Sequence, residues 1–205
     1  MSEHYFSPTS ATDASRLPLT ARLAGAERDL VTSRAVFSAR GLDKATAVLL
    51  DRLDTLAPVP AGARILDLGC GWGPIALSAA LLHPDAEVWA VDVSERAREV
   101  TAENAERLGL QVHVAAPDDV PSELRFDTIW SNPPIRIGKQ ELHDLLLRWC
   151  GRLSAQGTAG LVVGRNLGAD PLAAWLDGQL PGRTVQKVAS AKGFRILEVG
   201  PREEG

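Results

Sequence analysis

The sequence predicts an α/β fold, a mainly parallel seven-stranded sheet covered by helices on both faces. From residue 63 onward, short apolar runs alternate with stretches of helical periodicity, a pattern typical of parallel strands joined by crossover helices. The last two apolar runs have no helix between them, so we expect the final strand to pair antiparallel. At 205 residues and 45% hydrophobic content, the chain can bury one sizeable core.

The residues before this alternating region are organised differently. "LPLTARLAG" and "RDLVTSRAVFS" predict two short strands joined as a hairpin near Gly25–Glu27. A helix is predicted through "GLDKATAVLLDRLDTL", with Asp43 as its N-cap, and a linker covers Pro58–Gly62. We therefore divide the chain into an N-terminal extension, residues 1–58, in which hairpin and helix pack on the core, and a core domain, residues 59–201.

The core domain should contain seven strands and four helices in alternation. The predicted strands are "ARILDL", "AEVWAVDV", "LQVHVA", "FDTIW", "TAGLVVG", "TVQKVAS" and "FRILEVG". The predicted helices cover Ile75–Leu82, about Ser94–Leu108, Gln140–Arg152 and Pro171–Leu180.

A glycine-rich segment, "LDLGCGWGP", joins the first core strand to the first core helix. Gly69, Gly71 and Gly73 would let backbone N–H groups approach a ligand closely, although a tight strand-to-helix turn would also use glycine. The G-x-G-x-G spacing differs from the dinucleotide fingerprint. Asp67, two residues before the loop, suits a ligand ammonium group rather than a phosphate.

Further acids follow the next two strands. Asp92 ends the second strand, where it can accept hydrogen bonds from both hydroxyls of a ribose, and Ser94 is better placed to cap the following helix. After the third strand, Asp118 can accept from an adenine amino group, with Asp119 or a plain solvated turn as alternatives. Together with the glycine loop, these acids indicate a nucleoside with a cationic amino-acid tail, namely S-adenosylmethionine.

The stretch "WSNPPIRIGK" follows the fourth core strand. Tandem prolines fix an extended backbone there, at the carboxyl end of a strand, where open α/β sheets bind their ligands. The Asn132 side-chain oxygen and the Pro133 carbonyl are two acceptors for an amine, although an ordinary Pro-Pro loop is the alternative. Arg136 and Lys139 would meet phosphate or a guanine edge, or else form a solvated helix start.

Several other side chains are assigned to structural roles. Trp89 and Trp149 are expected in the core, Asn104 as a buried amide and His143 on the surface. Trp72, inside the glycine loop, would contact the cofactor or cover it.

Four stretches, "DLGCGWGPIAL", "VDVSERA", "SNPPIRIGK" and "KGFRILEV", resemble class I S-adenosylmethionine-dependent methyltransferases. More narrowly, they resemble the RsmC-like small-subunit rRNA guanine-N2 methyltransferases, to whose early segments "HYFS" (His4–Ser7) and "VFSARGLD" (Val36–Asp43) are also similar. The resemblance implies a Rossmann-like fold and methylation of the exocyclic N2 amine of a guanine in 16S rRNA. In related adenine-N6 and glutamine-N5 enzymes the fourth motif position is usually aromatic, so Ile135 fits the guanine family better.

The resemblance also implies roles for individual residues. The cofactor-binding set would be Asp67, Gly69, Cys70, Gly71, Gly73, Asp92, Val93, Asp118 and Asn132. The catalytic set would be Asn132, Pro133, Pro134 and Ile135, and Arg136 with Lys139 would bind RNA. Well-known members carry two tandem methyltransferase-like halves, whereas this chain is long enough for only the catalytic one.

Bulk properties limit the remaining possibilities. A net charge of −4 argues against a broadly basic nucleic-acid binder but leaves room for a local basic patch. The chain has no apolar run of eighteen residues, no secretory leader and no metal-ligand spacing, so we expect a cytoplasmic protein without membrane or metal partners. The expected partner is ribosomal RNA or the small-subunit particle. The alternatives are an amine methyltransferase acting on a protein side chain or small molecule, and a non-catalytic cofactor-binding module.

Overall fold

The computed structural model of the protein describes residues 15–202. Its strands are β1 Leu17–Leu23, β2 Ala26–Thr32, β3 Arg64–Leu68, β4 Glu87–Val91, β5 His113–Ala115, β6 Phe126–Ser131, β7 Leu153–Gly164, β8 Arg183–Ala191 and β9 Phe194–Pro201. Its α-helices are α1 Lys44–Leu50, α2 Pro74–Leu82, α3 Glu95–Arg107, α4 Lys139–Cys150 and α5 Ala169–Gln179. The "HYFS" segment lies outside the described residues.

Strands β3 to β9 form one sheet in the order β5-β4-β3-β6-β7-β9-β8. The first five strands in this order, β5 to β7, pair in parallel, and β9 pairs antiparallel with both β7 and β8. This arrangement confirms the predicted fold class. The chain runs outward from β3 through β4 to β5 and then continues on the other side of β3 with β6. The switch point of the sheet, where ligands bind in such folds, therefore lies between β3 and β6.

The alternation of side chains along β3 explains why both faces of the sheet are covered. Leu66 faces a buried cluster that includes Leu146 of α4 and Leu176 of α5. Its neighbour Ile65 faces a second cluster, which includes Leu49 of α1 and Ile75 of α2. Successive residues of a strand point to opposite faces, so one apolar run supports two helical layers.

The hairpin β1–β2 packs outside the sheet against α3. Leu23, Leu30 and the Trp72 side chain belong to one buried cluster with Val100 of α3. Asn104 stabilises this contact, because its amide donates to the carbonyls of Val31 and Trp72, at 2.9 Å each, and accepts from the Val31 N–H at 2.8 Å. The prediction of a buried structural amide is confirmed. The division of the chain at residue 58 stays a prediction.

Three sequence-based expectations differ from the structure. The sequence predicts His143 on the surface, but its ring is buried and stacks on Trp175, with centroids 3.4 Å apart, because α4 turns that face toward α5. Strand β2 ends at Thr32, so "AVFS" is not a strand, and the Val36 N–H bonds to the Ser33 carbonyl in a turn. The helix α1 ends at Leu50, after which Leu53–Thr55 forms a short 3-10 helix.

Candidate active site

Three predicted site residues follow the ends of three adjacent parallel strands. Leu68 at the end of β3 is paired with Val91 of β4 on one side and with Ser131 of β6 on the other. The next residues along the chain are Gly69, Asp92 and Asn132, which therefore form a row across the carboxyl edge of the sheet. Neighbouring strands are about 4.8 Å apart, so Asp92 and Asn132 flank the glycine loop on both sides.

The glycine loop bends sharply between β3 and α2. Gly69 and Gly73 have φ values of +81° and +94°, in the left-handed region that favours glycine. A Cβ at Gly73 would lie 3.0 Å from the Thr101 side chain, whereas a Cβ at Gly69 would meet nothing within 4 Å. Gly73 is thus required by packing against α3, while Gly69 lies beside open space.

Asp67 lies under this loop and is almost completely buried. Its Oδ2 accepts a hydrogen bond of 2.9 Å from the Ala76 N–H, in the first turn of α2, whose N-cap Gly73 offers no side-chain acceptor. Its Oδ1 is buried with no hydrogen-bond partner in the described structure. Burial raises the pKa of the Asp67 carboxyl to about 8. One carboxylate oxygen therefore supports the helix, and the other remains free for a donor.

Cys70, also predicted to bind the cofactor, contributes only its backbone to the loop. Its N–H, like that of Gly69, donates to the Val91 carbonyl. Its side chain is buried in the core and accepts from the Thr101 hydroxyl at 3.4 Å. Burial raises the pKa of the Cys70 thiol well above its usual range, which excludes a reactive thiolate.

Asp92 is tied to the glycine loop by its own side chain. Its Oδ2 accepts from the Gly71 N–H at 3.0 Å, and its Oδ1 accepts from the Ser94 N–H at 2.9 Å. Each carboxylate oxygen has a second lone pair, so both can still accept from a ribose hydroxyl. The following residue, Val93, is 64% exposed, and this apolar side chain is available to pack against a purine.

Asn132 is held from the other side of the cleft by helix α1. Its Nδ2 donates to Asp43 Oδ2 and to Thr46 Oγ1, at 3.0 Å each. A carboxylate cannot donate, so the amide nitrogen is the atom that faces Asp43. The Asn132 Oδ1 is therefore left as the acceptor of this side chain.

The two prolines shape the backbone beyond Asn132 as a tight turn. The Pro133 carbonyl accepts from the Ile135 N–H at 2.8 Å, and Pro134 has the φ of −74° and ψ of 75° of an inverse γ-turn. One lone pair of the Pro133 carbonyl is thus already used, and one remains. Ile135 is half-buried against the core, while Ile137 is 43% exposed.

Asp118 is not brought into contact with the other predicted site residues. Its carboxylate is 90% exposed and pairs with Arg148 at 2.9 Å. Within residues 15–202, no hydrogen bond joins it to Asp92 or to the glycine loop. Its contact with an adenine stays a prediction.

Exposed cations occur between β2 and the first residue of α1, and on the segments after β6 and β7. We call them the cationic mouth, and they are Arg34, Arg40, Lys44, Arg136, Lys139 and Arg165. None of them forms an ion pair with any other described residue. Exposed apolar side chains lie among them, Phe37 at 67%, Ile137 and Leu167. These six cations are thus unpaired within the described residues, although the chain is acidic overall and Asp43, Asp92 and Glu141 lie on neighbouring segments.

Sequence reasoning missed the contacts of Asp43 and Thr46 with Asn132. The sequence indicates Asp43 only as a helix cap, a prediction that its bonds to the N–H groups of Ala45 and Thr46 confirm. Its second contact, with Asn132, joins residues 89 positions apart, and no local pattern signals such a pair.

Comparison with known proteins identifies the family. A model of the methyltransferase small domain matches residues 27–198, most of the chain. The chain belongs to this family. Among solved structures, the Thermus thermophilus 16S rRNA N2 G1207 methyltransferase RsmC, in complex with S-adenosylmethionine and guanosine, superposes with a TM-score of 0.78 at 27% identity, over 91% of this chain and 51% of that one.

Curated relatives of the methyltransferase differ in their described substrates. The Bacillus subtilis protein YbxB, which is uncharacterised, is 33% identical over 97% of this chain and 98% of its own length. The Stutzerimonas stutzeri ribosomal RNA small subunit methyltransferase C is 32% identical over 90% of this chain and 54% of its own. The Bordetella pertussis release factor glutamine methyltransferase is 40% identical over 54% of this chain and 43% of its own length. The chain therefore spans about half the length of these two relatives with a named activity.

The methyltransferase uses S-adenosylmethionine, and the residues at the sheet edge fit this cofactor. The unpartnered Asp67 Oδ1 can accept from its ammonium group, Asp92 retains acceptors for a ribose, and the open space beside Gly69 admits a ligand. Within residues 15–202, no group of three or more His, Cys, Asp or Glu side chains is arranged to hold a metal ion. In the same range, no helix is long and apolar enough to cross a bilayer.

Proposed function

We propose that this methyltransferase methylates the exocyclic N2 amine of a guanine in 16S ribosomal RNA, in the cytoplasm. The observation that carries the proposal is the orientation of Asn132, whose amide nitrogen is held by Asp43 and Thr46 so that Oδ1 remains free at the cofactor cleft. An acceptor in this position suits a substrate that presents an NH2 group.

The chemistry follows from the poor nucleophilicity of such an amine. Its lone pair is conjugated into the ring, and hydrogen bonds from the NH2 to Asn132 Oδ1 and to the second lone pair of the Pro133 carbonyl favour a more tetrahedral nitrogen. The cofactor supplies the methyl group on its sulfonium. No strong base is required, because the methylated nitrogen becomes acidic and releases its proton readily. Alignment of this kind can lower a reaction barrier by roughly 7–11 kcal/mol.

The cationic mouth supports an RNA substrate. Neutralisation of phosphates by Lys and Arg supplies most of the non-specific affinity of proteins for nucleic acids. Six exposed cations without ion-pair partners among residues 15–202 meet that need at the cleft itself. Exposed Phe37 and Ile137 can stack on or cover unpaired bases. A base must leave its helix to reach the cleft, so loops or partly assembled particles would be the easier substrates.

A protein side-chain nitrogen is the second candidate, and the similarity to the release factor glutamine methyltransferase, whose named target residue carries an amide NH2, favours it. That similarity covers only 54% of this chain, whereas the sequence similarity to the ribosomal RNA small subunit methyltransferase C covers 90%. The cationic mouth and Ile135 in the fourth motif position also support RNA over a glutamine side chain.

A transfer assay separates these candidates. Tritiated S-adenosylmethionine and purified enzyme are added to a lysate of cells deleted for the gene, and label is counted in RNA, protein and small-molecule fractions. We expect label in 16S rRNA with the wild type, and an initial rate of labelling lower by roughly a hundredfold or more with the Asn132→Ala control. Label confined to protein or to small molecules would contradict the proposal.

A further inference from the structure

The start of helix α1 meets the predicted catalytic amide through two side chains. Asp43 is the N-cap of α1, and Thr46 lies in its first turn with 4% of its surface exposed. Both accept a hydrogen bond from Asn132 Nδ2, across 89 and 86 residues of sequence. The contact therefore joins the N-terminal elements to the carboxyl edge of the sheet.

The bonds of the Asp43 side chain to α1 and to Asn132 all involve the same carboxylate oxygen. Oδ2 accepts from the N–H groups of Ala45 and Thr46, at 2.8 and 3.3 Å, as well as from Asn132 at 3.0 Å. The first two bonds fix the oxygen to the backbone of α1. The position of the Asn132 amide is thus set by the start of α1 as well as by the proline turn that follows it.

The alternative orientation of the amide would remove the bond to Asp43, although the Thr46 hydroxyl could then donate to Asn132 Oδ1. A flipped Asn132 would place its Oδ1 against the Asp43 carboxylate, where two acceptors repel. It would also direct the NH2 group into the cleft, toward the N–H donors of an incoming amine. Asp43 therefore selects the orientation in which the side chain can accept from the substrate, and Thr46 adds a second bond that holds it.

Helix formation alone does not account for this arrangement. An N-cap needs only an acceptor for the first N–H groups, which Ser or Asn would supply equally well. Thr has a lower helix propensity than most residues, and a buried Thr hydroxyl requires a partner. Here its partner is the predicted catalytic amide.

We propose that Asp43 and Thr46 are positioning residues that hold Asn132 Oδ1 toward the substrate amine. This inference rests on the proposed function, because it assumes that Asn132 is the acceptor. It extends that function by assigning residues outside the Asn-Pro-Pro motif to the reaction. It also gives the N-terminal segment a part in catalysis.

The most direct test compares Thr46→Val with Thr46→Ser. Valine keeps the volume but cannot accept from Asn132, whereas serine restores the hydroxyl. We expect Thr46→Val to lower kcat by roughly tenfold to a hundredfold, by analogy with the loss of residues that orient metal ligands. Its affinity for S-adenosylmethionine should stay unchanged, and Thr46→Ser should recover kcat to within about threefold of wild type. Equal kcat values for the valine variant and the wild type would overturn the inference.

A second readout does not depend on the substrate. The chain contains only three asparagines, Asn104, Asn132 and Asn166, so selective ¹⁵N labelling resolves their side-chain NH2 groups by NMR. We expect slow exchange with solvent for the Asn132 NH2 protons in the wild type and in Thr46→Ser, and faster exchange in Thr46→Val. Unchanged exchange in Thr46→Val would contradict the positioning role.

The two readouts keep the inference separate from the proposed function. If the wild type labels no RNA, the proposed function fails, and exchange of the Asn132 amide still decides whether Thr46 holds it. If RNA is labelled and Thr46→Val loses only thermal stability, without a change in kcat or amide exchange, Thr46 is structural and the inference fails.

Discussion

At the scale of single residues, the contact of Asn132 with Asp43 changes the effect that we expect from substituting Asn132. From the sequence alone, Asn132→Asp is conservative, because it keeps an acceptor. In the structure, the new carboxylate would face Asp43 Oδ2 at about the 3.0 Å of the present hydrogen bond. Two carboxylates at such a distance cannot both ionise at low cost, so one pKa rises.

We therefore expect Asn132→Asp to lose most activity at pH 8 and to recover part of it as the pH falls. At lower pH the pair takes up one proton, and the protonated acid donates to the other carboxylate as the amide did. The loss at pH 8 should be at least roughly tenfold, since one unit of pKa shift corresponds to a tenfold factor. Measuring kcat relative to wild type from pH 6 to 9 tests this, and a flat ratio would rule out repulsion by Asp43.

Asp67 should make cofactor affinity depend on pH. Its pKa of about 8 means that the carboxyl is mostly protonated at neutral pH, while an ammonium group prefers the ionised form. Affinity should therefore rise with pH, by up to roughly tenfold per unit, and level off near pH 8, where the α-amino group of the ligand itself begins to deprotonate. Calorimetry between pH 6 and 8.5 measures this dependence.

The substitution Asp67→Asn provides the control for that titration. The asparagine side chain can still accept from the Ala76 N–H, so α2 keeps its support, but it has no charge to titrate. We expect weaker binding with little dependence on pH. An equal pH dependence in the Asp67→Asn variant and the wild type would assign the titration to another group.

At the scale of elements, two glycines of the glycine loop have different functions. Gly73 is needed for packing against α3, and Gly69 leaves space for a ligand. Gly69→Ala and Gly73→Ala both place a side chain at positive φ, which costs about 1–2 kcal/mol each. Only the methyl group of Gly73→Ala would also press on Thr101, and only that of Gly69→Ala would project into open space at the cleft. We expect Gly73→Ala to lower Tm more, and Gly69→Ala to weaken cofactor binding more. Thermal melts and calorimetry on both variants check this, and the reverse order would contradict the placement of the loop.

The same scale shows which features local sequence patterns encode. Asp92, Gly69 and Asn132 were predictable as neighbours, because each follows a strand whose apolar run is visible in the sequence and parallel strands end at one edge. The pairing of Asp43 with Asn132 was not, because it depends on how α1 packs against the sheet. The ion pair of Asp118 with Arg148 and the burial of His143 depend on packing in the same way.

At the scale of the whole molecule, charge is distributed unevenly. The chain has a net charge of −4, yet the cationic mouth has no acidic partners among residues 15–202. Such a separation of charge would direct a polyanion to the cleft while limiting adhesion elsewhere.

Salt dependence tests this role of the mouth. If RNA phosphates contact Arg136 and Lys139, replacing both with Gln should lower the slope of log affinity against log salt by about 0.7–0.9 per lost contact. Lys187, exposed on β8 away from the cleft and also without an ion pair among the described residues, is the matched control, and Lys187→Gln should leave the slope unchanged. Equal slopes for wild type and the double variant would argue for a small, uncharged substrate.

The central claim concerns the atom that is methylated. Small-subunit particles from cells lacking the gene are treated with S-adenosylmethionine and either wild-type or Asn132→Ala enzyme, and the 16S rRNA is digested and analysed by mass spectrometry. We predict N2-methylguanosine with the wild type and a loss of roughly a hundredfold or more in its rate of formation with Asn132→Ala, as for removal of one preorganised hydrogen-bond partner, with a smaller change in cofactor affinity. Methylation of another atom, or equal rates for the two enzymes, would contradict the account.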